Sequence, residues 1–226
     1  MPTYLITGAN RGLGLEFARQ LSTRKDETRI IATAREVEKA TDLSRLVHDV
    51  IPLDVADPRS IERLPDLIKD RPIDILINNA GIGSKSNSIE KLDHEELARV
   101  FSVNSVGPML VTRALLPNLR AGQRKTVFNI SSQLGSITNN HGGSSYGYRA
   151  SKAALNMLTV SLSNELKKDG FTCVVAHPGW VQTDMGGPNA TLKPEESISA
   201  LLKVIDGLKP DDTGKFFNYD GKTLPW

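Results

Sequence analysis

Short runs of apolar, β-branched residues recur along the chain and alternate with longer segments of mixed polarity. Each run is apolar at almost every position, which is typical of a strand buried on both faces of a sheet. The predicted strands are TYLIT (3–7), RIIATA (29–34), VIPLDV (50–55), IDILINN (73–79), TVFNIS (126–131), TCVVAHP (172–178) and KFFNY (215–219). Alternation of such strands with helical segments predicts a parallel sheet covered by helices on both sides.

Helix-length segments separate the first six of these strands. They lie near residues 12–24, 36–47, 58–70, 91–121 and 148–168, and 91–121 is long enough for two helices. Residues 183–195 contain glycines and prolines that break regular structure, so this segment is predicted to be a mobile loop at a strand end. The pattern as a whole predicts an α/β fold: a single domain over 1–226 with one doubly wound, Rossmann-type parallel sheet of about seven strands.

Composition narrows the class of protein. The net charge of +2 predicts no attraction to nucleic acid or membranes. A single cysteine, Cys173, excludes an internal disulfide and suits a reducing compartment; its strand-like setting predicts an inert thiol rather than a nucleophile. The N-terminal apolar stretch is too short for a signal peptide, so we expect a cytoplasmic protein. The four histidines lack ligand spacing, and no metal site is predicted.

The first strand runs directly into a glycine-rich turn, TGANRGLG, which contains Gly8, Gly12 and Gly14. Glycines are needed where a tight turn leaves a strand, where backbone approaches a phosphate, and where a helix packs closely on the sheet. The helix that follows would point its positive N-terminal end at a pyrophosphate. Three glycines alone would also suit a plain strand-to-helix turn, but their position after the first strand favours dinucleotide binding.

The residues after the second strand indicate which dinucleotide is bound. An acid there would accept hydrogen bonds from a ribose 2′-hydroxyl, whereas this chain has Ala34 and Arg35. Arg35 and Arg11 of the glycine turn are predicted to converge on a 2′-phosphate, which favours NADP(H). Glu36 remains a candidate for the missing acid. Asp54, after the third strand, is a candidate either for bonding the adenine amino group or for capping the strand end.

The segment SSYGYRASK (144–152) contains two tyrosines before a lysine. In a helix, only residues three or four apart share a face, so Tyr148 and not Tyr146 would face Lys152. A free phenol has a pKa of about 10. A nearby lysine ammonium favours the phenolate, so the pair could exchange protons nearer neutral pH. By itself such a pair is also common on ordinary helix faces.

Six motifs in order make the chain similar to the short-chain dehydrogenase/reductase family over essentially its whole length. They are TGANRGLG (7–14), NNAG (78–81), VNSVGP (103–108), NISS (129–132), YRASK (148–152) and HPGWVQTDM (177–185). Within that family, SSQLGSI, the doubled tyrosine and the GKFFNYDGKTLPW ending most resemble the C-factor and sniffer-type carbonyl reductases.

The resemblance implies a catalytic tetrad. Tyr148 would be the general acid or base, and Ser132 would polarise the substrate carbonyl. Lys152 would hold the nicotinamide ribose, and Asn104 would hold a water that links the lysine to solvent. The cofactor NADP(H) would contact Gly8, Asn10, Arg11, Gly12, Leu13, Gly14, Arg35, Asp54, Val55, Asn79, Ala80, Gly81, Tyr148, Lys152, Pro178, Gly179, Val181 and Thr183.

The family also suggests further features. Trp180 and Met185 are candidates for lining the substrate cleft, with core packing as the alternative, and His177 is expected to be a strand-end hydrogen bonder. The helices around 104–121 and 148–168 form subunit interfaces in the family, which implies a homodimer or homotetramer.

One departure from the family bears on the tyrosines. Ser132 precedes Tyr148 by sixteen residues and Tyr146 by fourteen, whereas the main branch has about thirteen. The spacing between Tyr148 and Lys152 is fixed by helix geometry, whereas the loop TNNHGG can absorb extra residues between Ser132 and the helix. The lysine spacing is therefore the better guide, and it assigns the catalytic role to Tyr148. Tyr146 is expected beside or within the pocket.

The sequence therefore predicts NADP(H)-dependent interconversion of a carbonyl compound and its alcohol, the small-molecule substrate. One alternative is a dinucleotide-binding regulatory or signalling protein with vestigial redox activity. Another is a non-redox use of the fold, against which the retained glycine loop argues.

Overall fold

The computed structural model describes residues 1–24, 28–85 and 87–226. Across these residues one parallel sheet of seven strands runs in the order β3-β2-β1-β4-β5-β6-β7, which confirms the predicted doubly wound architecture. The strands are β1 (Thr3–Ile6), β2 (Arg29–Ala34), β3 (Asp49–Pro52), β4 (Ile75–Asn78), β5 (Thr126–Ile130), β6 (Thr172–His177) and β7 (Phe216–Asn218). Because β1 and β4 are adjacent, the chain reverses its winding direction between them, and a crevice opens at their carboxyl ends.

The helices lie mainly where the polarity pattern places them. They are α1 (Gly12–Ser22), α2 (Thr41–Ser44), α3 (Pro58–Glu62), α4 (Leu64–Ile68), α5 (His94–Phe101), α6 (Gly107–Ala114), α7 (Leu116–Ala121), α8 (Tyr146–Leu166) and α9 (Pro194–Gly207). A π-helical turn, Ser102–Val106, joins α5 to α6. Such turns are rare and occur frequently at functional sites.

The structure differs from the sequence prediction in three segments. Residues 36–47 hold only the short α2 and a 3₁₀ turn, Val37–Lys39. The predicted helix over 58–70 divides at Arg63, because Pro65 has no amide hydrogen to continue the helical ladder. No helix is predicted from the sequence after residue 195, yet α9 follows the irregular loop directly and buries Ile198, Leu201, Leu202 and Ile205 at helical spacing.

Two apolar layers hold the helices on the sheet. On one face, α1 and α9 pack against alternate strand residues that include Phe128 and Val174. On the other face, α3, α4, α6 and α7 pack against a second set that includes Val127 and Cys173. Burial raises the pKa of the Cys173 thiol to about 12, which agrees with the prediction of an inert cysteine.

No helix among the described residues combines the length and apolar character that a membrane crossing requires.

Candidate active site

A cleft of about 760 Å³ opens at the carboxyl ends of the strands, where the winding direction reverses. Most of the residues predicted to hold the cofactor line it, namely Gly8, Asn10, Arg11, Gly12, Leu13, Arg35, Asp54, Val55, Asn79, Ala80, Gly81, Tyr148, Lys152, Pro178, Gly179, Val181 and Thr183. Gly14 is the exception in this set. Ser132 also lines the cleft, whereas Asn104 lies behind its wall. The glycine turn and the Tyr–Lys pair, far apart in sequence, therefore border one cavity.

The glycines of the turn are required by backbone conformation at two positions and by close packing at two. Gly8 and Gly12 have φ of +64° and +55°, a region that L-residues rarely adopt. A Cβ on Gly8 would lie 3.0 Å from Ala80 Cα. A Cβ on Gly14 would lie 2.5 Å from the Gly8 carbonyl oxygen and 2.6 Å from Asn79 Nδ2. Gly14 thus permits close packing of α1 beneath the turn and does not face the cleft.

Hydrogen bonds from the β4 end fix the glycine turn. Asn79 Nδ2 donates to the carbonyl oxygens of Thr7 and Gly8, each at 3.0 Å. The amides of Asn79 and Ala80 donate to Thr7 Oγ1 at 3.0 and 3.1 Å. The first turn of α1 carries no side-chain cap, so its amides are open to an anion in the cleft. This cradle fits a dinucleotide pyrophosphate.

The two arginines predicted to converge on a 2′-phosphate have different surroundings. Arg35 is exposed, lines the cleft and has no hydrogen bond or ion pair to another described residue. Arg11 is paired across the cleft with Asp184 at 2.7 Å, so its convergence with Arg35 is not seen in the free protein. Glu36 forms an ion pair with Lys39 and does not line the cleft, which weakens its claim to be the missing acid.

The position of Asp54 is compatible with both roles considered from the sequence, capping of the strand end and binding of the adenine amino group. Its Oδ1 accepts a hydrogen bond from the amide of Ala56 at 2.9 Å, which caps the turn after β3. The residue also lines the cleft, so its second carboxylate oxygen is available for an adenine amino group.

Tyr148, Ser132 and Lys152 meet at the inner end of the cleft. The Ser132 hydroxyl is close enough to the Tyr148 side chain to influence its pKa, and Lys152 Nζ lies 5.8 Å from the centre of the Tyr148 ring. Lys152 is only 4% exposed, and its Nζ donates to the carbonyl oxygen of Ile130 at 2.8 Å. The helix α8 places Tyr148 and Lys152 one turn apart, while the end of β5 supplies Ser132.

Burial is the main influence on the pKa values of Tyr148 and Lys152. It raises the pKa of Tyr148 above its ordinary value, and the neighbouring Ser132 hydroxyl opposes this shift. Burial also lowers the pKa of Lys152 to about 8. The expectation that Lys152 brings the pKa of Tyr148 down is therefore not met, because desolvation of the phenolate is the larger effect.

Asn104 lies in the π-helical turn and is fully buried. Its Oδ1 accepts from the amide of Ile82 at 2.9 Å, while its Nδ2 donates to the Ile82 carbonyl at 2.9 Å and to Ser151 Oγ at 3.1 Å. The side chain thus ties the segment after β4 to α8 just behind Lys152. A Cβ on Gly81 would lie 3.4 Å from Asn104 Oδ1 and 3.7 Å from Lys152 Nζ, which shows how close these groups are.

The longer loop before α8 accounts for the sixteen-residue spacing. Gly143, Ser144 and Ser145 all have positive φ, of 62°, 61° and 47°. Ser145 Oγ donates to Asn87 Oδ1 at 3.0 Å, which holds this left-handed turn against the segment after β4. Tyr146 then begins α8; it is 39% exposed and does not line the cleft, whereas Ser145 and Tyr148 do, so of the two expected positions Tyr146 has the one beside the pocket.

The outer wall of the cleft comes from the segment after β6. Trp180 and Met185 line it and are 51% and 54% exposed, which favours the cleft alternative over core packing. Trp180 Nε1 donates to the Gly186 carbonyl at 2.8 Å, and the Gly187 amide donates to the Thr183 carbonyl at 2.8 Å. The segment is thus a compact turn closed by its own hydrogen bonds.

His177 differs from expectation. It is 7% exposed and lines the cleft, but its Nδ1 has no hydrogen-bond partner among the described residues, so it is not the predicted strand-end hydrogen bonder. Burial lowers its pKa to about 4.

Other lining residues were not predicted from the sequence, because most of them lie on loops and turns, where side chains follow no periodic pattern, while Arg99 lies on α5. They include Ile82, Arg99, Gln133, Leu134, Ser145 and Asp184.

Fold and site together define an oxidoreductase of the Rossmann type. The model of the short chain dehydrogenase family matches residues 2–193, and the chain belongs to that family. "C-signal" of Myxococcus xanthus is 48% identical over 155 residues, which cover 69% of this chain and 93% of that protein. The family predicted from the six motifs is therefore confirmed.

Two solved structures are similar over the full chain. Carbonyl reductase Sniffer of D. melanogaster has a TM-score of 0.94 and 36% identity, and the match covers 100% of both chains. The NADPH-bound carbonyl reductase from chicken fatty liver has a TM-score of 0.92 and 34% identity, and the match covers 100% of this chain and 99% of that one. The resemblance to sniffer-type carbonyl reductases is confirmed at the level of structure.

Proposed function

We propose that the protein is an NADPH-dependent carbonyl reductase that also oxidises the corresponding alcohol. The observation that carries this proposal is the placement of Tyr148, Ser132 and Lys152 together in the same cleft as the glycine turn. A protein that only binds a dinucleotide has no need of this arrangement. Residues 1–226 would act as one catalytic domain.

The residues of the cleft fit NADP(H). The glycine turn would hold the pyrophosphate, and Arg35 would pair with the 2′-phosphate. The chicken reductase, crystallised with NADPH, supports this assignment. Val181 and Thr183 would contact the nicotinamide carboxamide, and Lys152 would hold the nicotinamide ribose. When bound, the cofactor supplies the hydride for the carbonyl carbon.

The proton would come from Tyr148. Because its pKa is raised, the phenol is protonated at neutral pH and can donate to the oxygen of a reduced carbonyl. Ser132 Oγ would donate a hydrogen bond to the same oxygen and stabilise its developing negative charge. Lys152, with a pKa of about 8, can lose and regain a proton near neutrality and would return one to the tyrosine. Asn104 would complete the relay to solvent by holding a water near Lys152.

A second candidate is a dinucleotide-binding regulator with vestigial activity. The name of the Myxococcus xanthus relative, C-signal, refers to a signal rather than to a reaction and favours this alternative.

The test is a panel of ketones and aldehydes assayed with NADPH, with loss of absorbance at 340 nm and isolation of the alcohol as two independent readouts. The reductase proposal expects alcohol formed in equal amount to NADPH consumed. Tight NADPH binding without turnover of any carbonyl compound would favour the regulator.

The proposed assembly is a homodimer or homotetramer built on α6 and α8. Val106, Met157 and Leu158 on or beside these helices are 45%, 67% and 37% exposed, an apolar surface that a second copy would cover. Light scattering is expected to show a species larger than 24.7 kDa. Met157→Glu should shift it toward the monomer, whereas Ile89→Glu, at another exposed apolar residue, should not. A monomer at micromolar concentration in the unmodified protein would refute the assembly.

A further inference from the structure

One ion pair joins the cofactor half of the cleft to the substrate half. Arg11 of the glycine turn donates from Nη1 to Oδ2 of Asp184, in the turn after β6 (180–187), at 2.7 Å. Both residues line the cleft, and their side chains are 66% and 79% exposed. Across the described residues this is the one hydrogen bond between the two turns, and neither side chain has a second partner.

The order of the strands places Arg11 between two possible partners. The glycine turn follows β1, and the Ala9 amide donates to the Thr33 carbonyl at 2.9 Å, which ties the turn to the end of β2 beside Arg35. In the order β2-β1-β4-β5-β6, Arg35 lies on one side of the glycine turn and the turn after β6 reaches it from the other. A 2′-phosphate held by Arg35 would therefore draw Arg11 away from Asp184.

The phosphate is the stronger of the two competing anions. An exposed pair such as Arg11 with Asp184 contributes little to stability, because water screens both charges. A 2′-phosphate carries nearly two negative charges at neutral pH and offers three acceptor oxygens, which guanidinium groups bind bidentately. Arg35 has no partner among the described residues and would share the phosphate. A ribose 2′-hydroxyl is uncharged and has no comparable attraction for Arg11.

The turn after β6 carries the side chains that respond to this exchange. Trp180 Nε1 donates to the Gly186 carbonyl at 2.8 Å, so the indole is bonded to the turn that contains Asp184. Trp180 and Met185, which is next to Asp184, both line the cleft. When Arg11 leaves Asp184, the turn loses its hydrogen bond to the glycine turn, and the outer wall of the substrate half is released.

We propose that Asp184 is a cofactor-specificity residue that holds Arg11 and yields it to the 2′-phosphate of NADP(H). NADP(H) thereby releases the turn after β6, whereas NAD(H) leaves the ion pair in place. Since NADP(H) has to break the pair and NAD(H) does not, Asp184 lowers the preference for NADP(H) and favours its release after turnover. This inference rests on the proposed NADP(H) dependence.

The first test compares 2′,5′-ADP with 5′-AMP, which differ only in the 2′-phosphate. Neither contains nicotinamide, so neither extends to the substrate half. The chain has two tryptophans, and Trp226→Phe leaves Trp180 as the single emitter. Saturating 2′,5′-ADP is expected to shift the Trp180 emission, and saturating 5′-AMP is not. With Asp184→Asn added, the emission should be shifted before any ligand is present, and 2′,5′-ADP should change it little further.

The second test measures affinity by titration calorimetry with the same two ligands. Asp184→Asn should lower the Kd of 2′,5′-ADP about 2- to 5-fold, as expected for removal of one competing exposed ion pair, and leave the Kd of 5′-AMP unchanged. In an Arg11→Gln background the same substitution should have no effect, because no pair remains to be broken. Asp70→Asn, at an exposed acid outside the cleft, is the control for loss of one negative charge.

Each contrary outcome has a distinct meaning. Weaker binding of 2′,5′-ADP by Asp184→Asn would show that Asp184 orients Arg11 for the phosphate, which overturns the competition. A gain that persists with Arg11→Gln would be general repulsion, and an equal Trp180 response to both ligands would refute the release; both overturn the inference while leaving the reductase intact. If the unmodified protein binds 2′,5′-ADP no more tightly than 5′-AMP, the NADP(H) assignment fails as well, and the carbonyl panel with NADH then tests the reductase.

Discussion

The two halves of the cleft are built differently. In the cofactor half, glycine occupies the left-handed positions, Gly8 and Gly12, and buried hydrogen bonds from Asn79 fix the turn. In the substrate half, two serines before α8 adopt left-handed φ, and the wall is formed by exposed side chains such as Trp180. Backbone shape thus defines the first half, whereas the second combines a glycine-containing turn after β6 with exposed side chains.

The two halves of the cleft are therefore expected to tolerate different substitutions. A site made of close-packed backbone has no room for added atoms, and its ligand is one that backbone amides can hold. A wall of exposed side chains can change without disturbing the sheet, so substrate preference can vary on a constant cofactor site. Tyr148 stands where the halves meet, and substitutions on either side of it test the comparison.

The largest expected effect is at that junction. Tyr148→Phe removes the proton donor and little volume, so kcat for carbonyl reduction should fall by about 10²–10⁴. Tyr146→Phe is the matched control, because this exposed residue lies outside the cleft and should leave kcat nearly unchanged. Steady-state NADPH oxidation measures both, with cofactor titration to show that binding persists. A dead Tyr146→Phe enzyme beside an active Tyr148→Phe enzyme would reverse the assignment.

The second-largest effect is expected in the cofactor half, where the positive charge of Arg35 is predicted to select NADPH over NADH. Replacing Ala34 with Asp and Arg35 with Ala removes a charge-assisted phosphate contact of about 1.5–3 kcal/mol, so NADPH affinity should fall about tenfold or more relative to NADH. Arg59→Ala, an exposed arginine outside the cleft, is the control and should leave the ratio unchanged. Fluorescence titrations with both cofactors provide the measurement. Tighter binding of NADH than of NADPH by the unmodified protein would contradict the assignment.

The space around an added Cβ differs between Gly14 in the glycine turn and Gly142 in the loop before α8. An alanine Cβ at position 14 would meet Gly8 O at 2.5 Å, whereas one at Gly142, in the loop before α8, would meet nothing within 4 Å. Gly14→Ala should therefore cost about 1–3 kcal/mol of unfolding free energy and weaken NADPH binding. Gly142→Ala should stay within about 0.5 kcal/mol. Urea unfolding with and without NADPH measures both effects, and equal costs at the two positions would show that the close contacts of an added Cβ at position 14 are not what destabilises the protein.

The same contrast explains what could be predicted from the sequence. The seven strands, the glycine turn and the Tyr148–Lys152 pair follow from periodicity and from motifs in which backbone geometry demands particular residues. The pairing of Arg11 with Asp184 could not be predicted, because it joins exposed loop residues 173 positions apart that no pattern relates. The lack of a hydrogen-bond partner for His177 Nδ1 among the described residues likewise follows from no sequence pattern.

The smallest expected effect tests strain in the substrate half. Ser144 has φ of +61°. Its side chain makes no hydrogen bond to another described residue, so replacing it with a smaller residue removes no such bond. A left-handed conformation costs an L-residue about 1–2 kcal/mol, and the extra unfolded-state entropy of glycine offsets about 0.5–1 kcal/mol of that. Ser144→Gly should therefore raise the free energy of unfolding by a few tenths to about 1 kcal/mol without changing NADPH affinity. Ser144→Ala keeps the strain and should give no gain, so a stabilisation shared by both variants would mean that the serine hydroxyl, and not the backbone, is the unfavourable element.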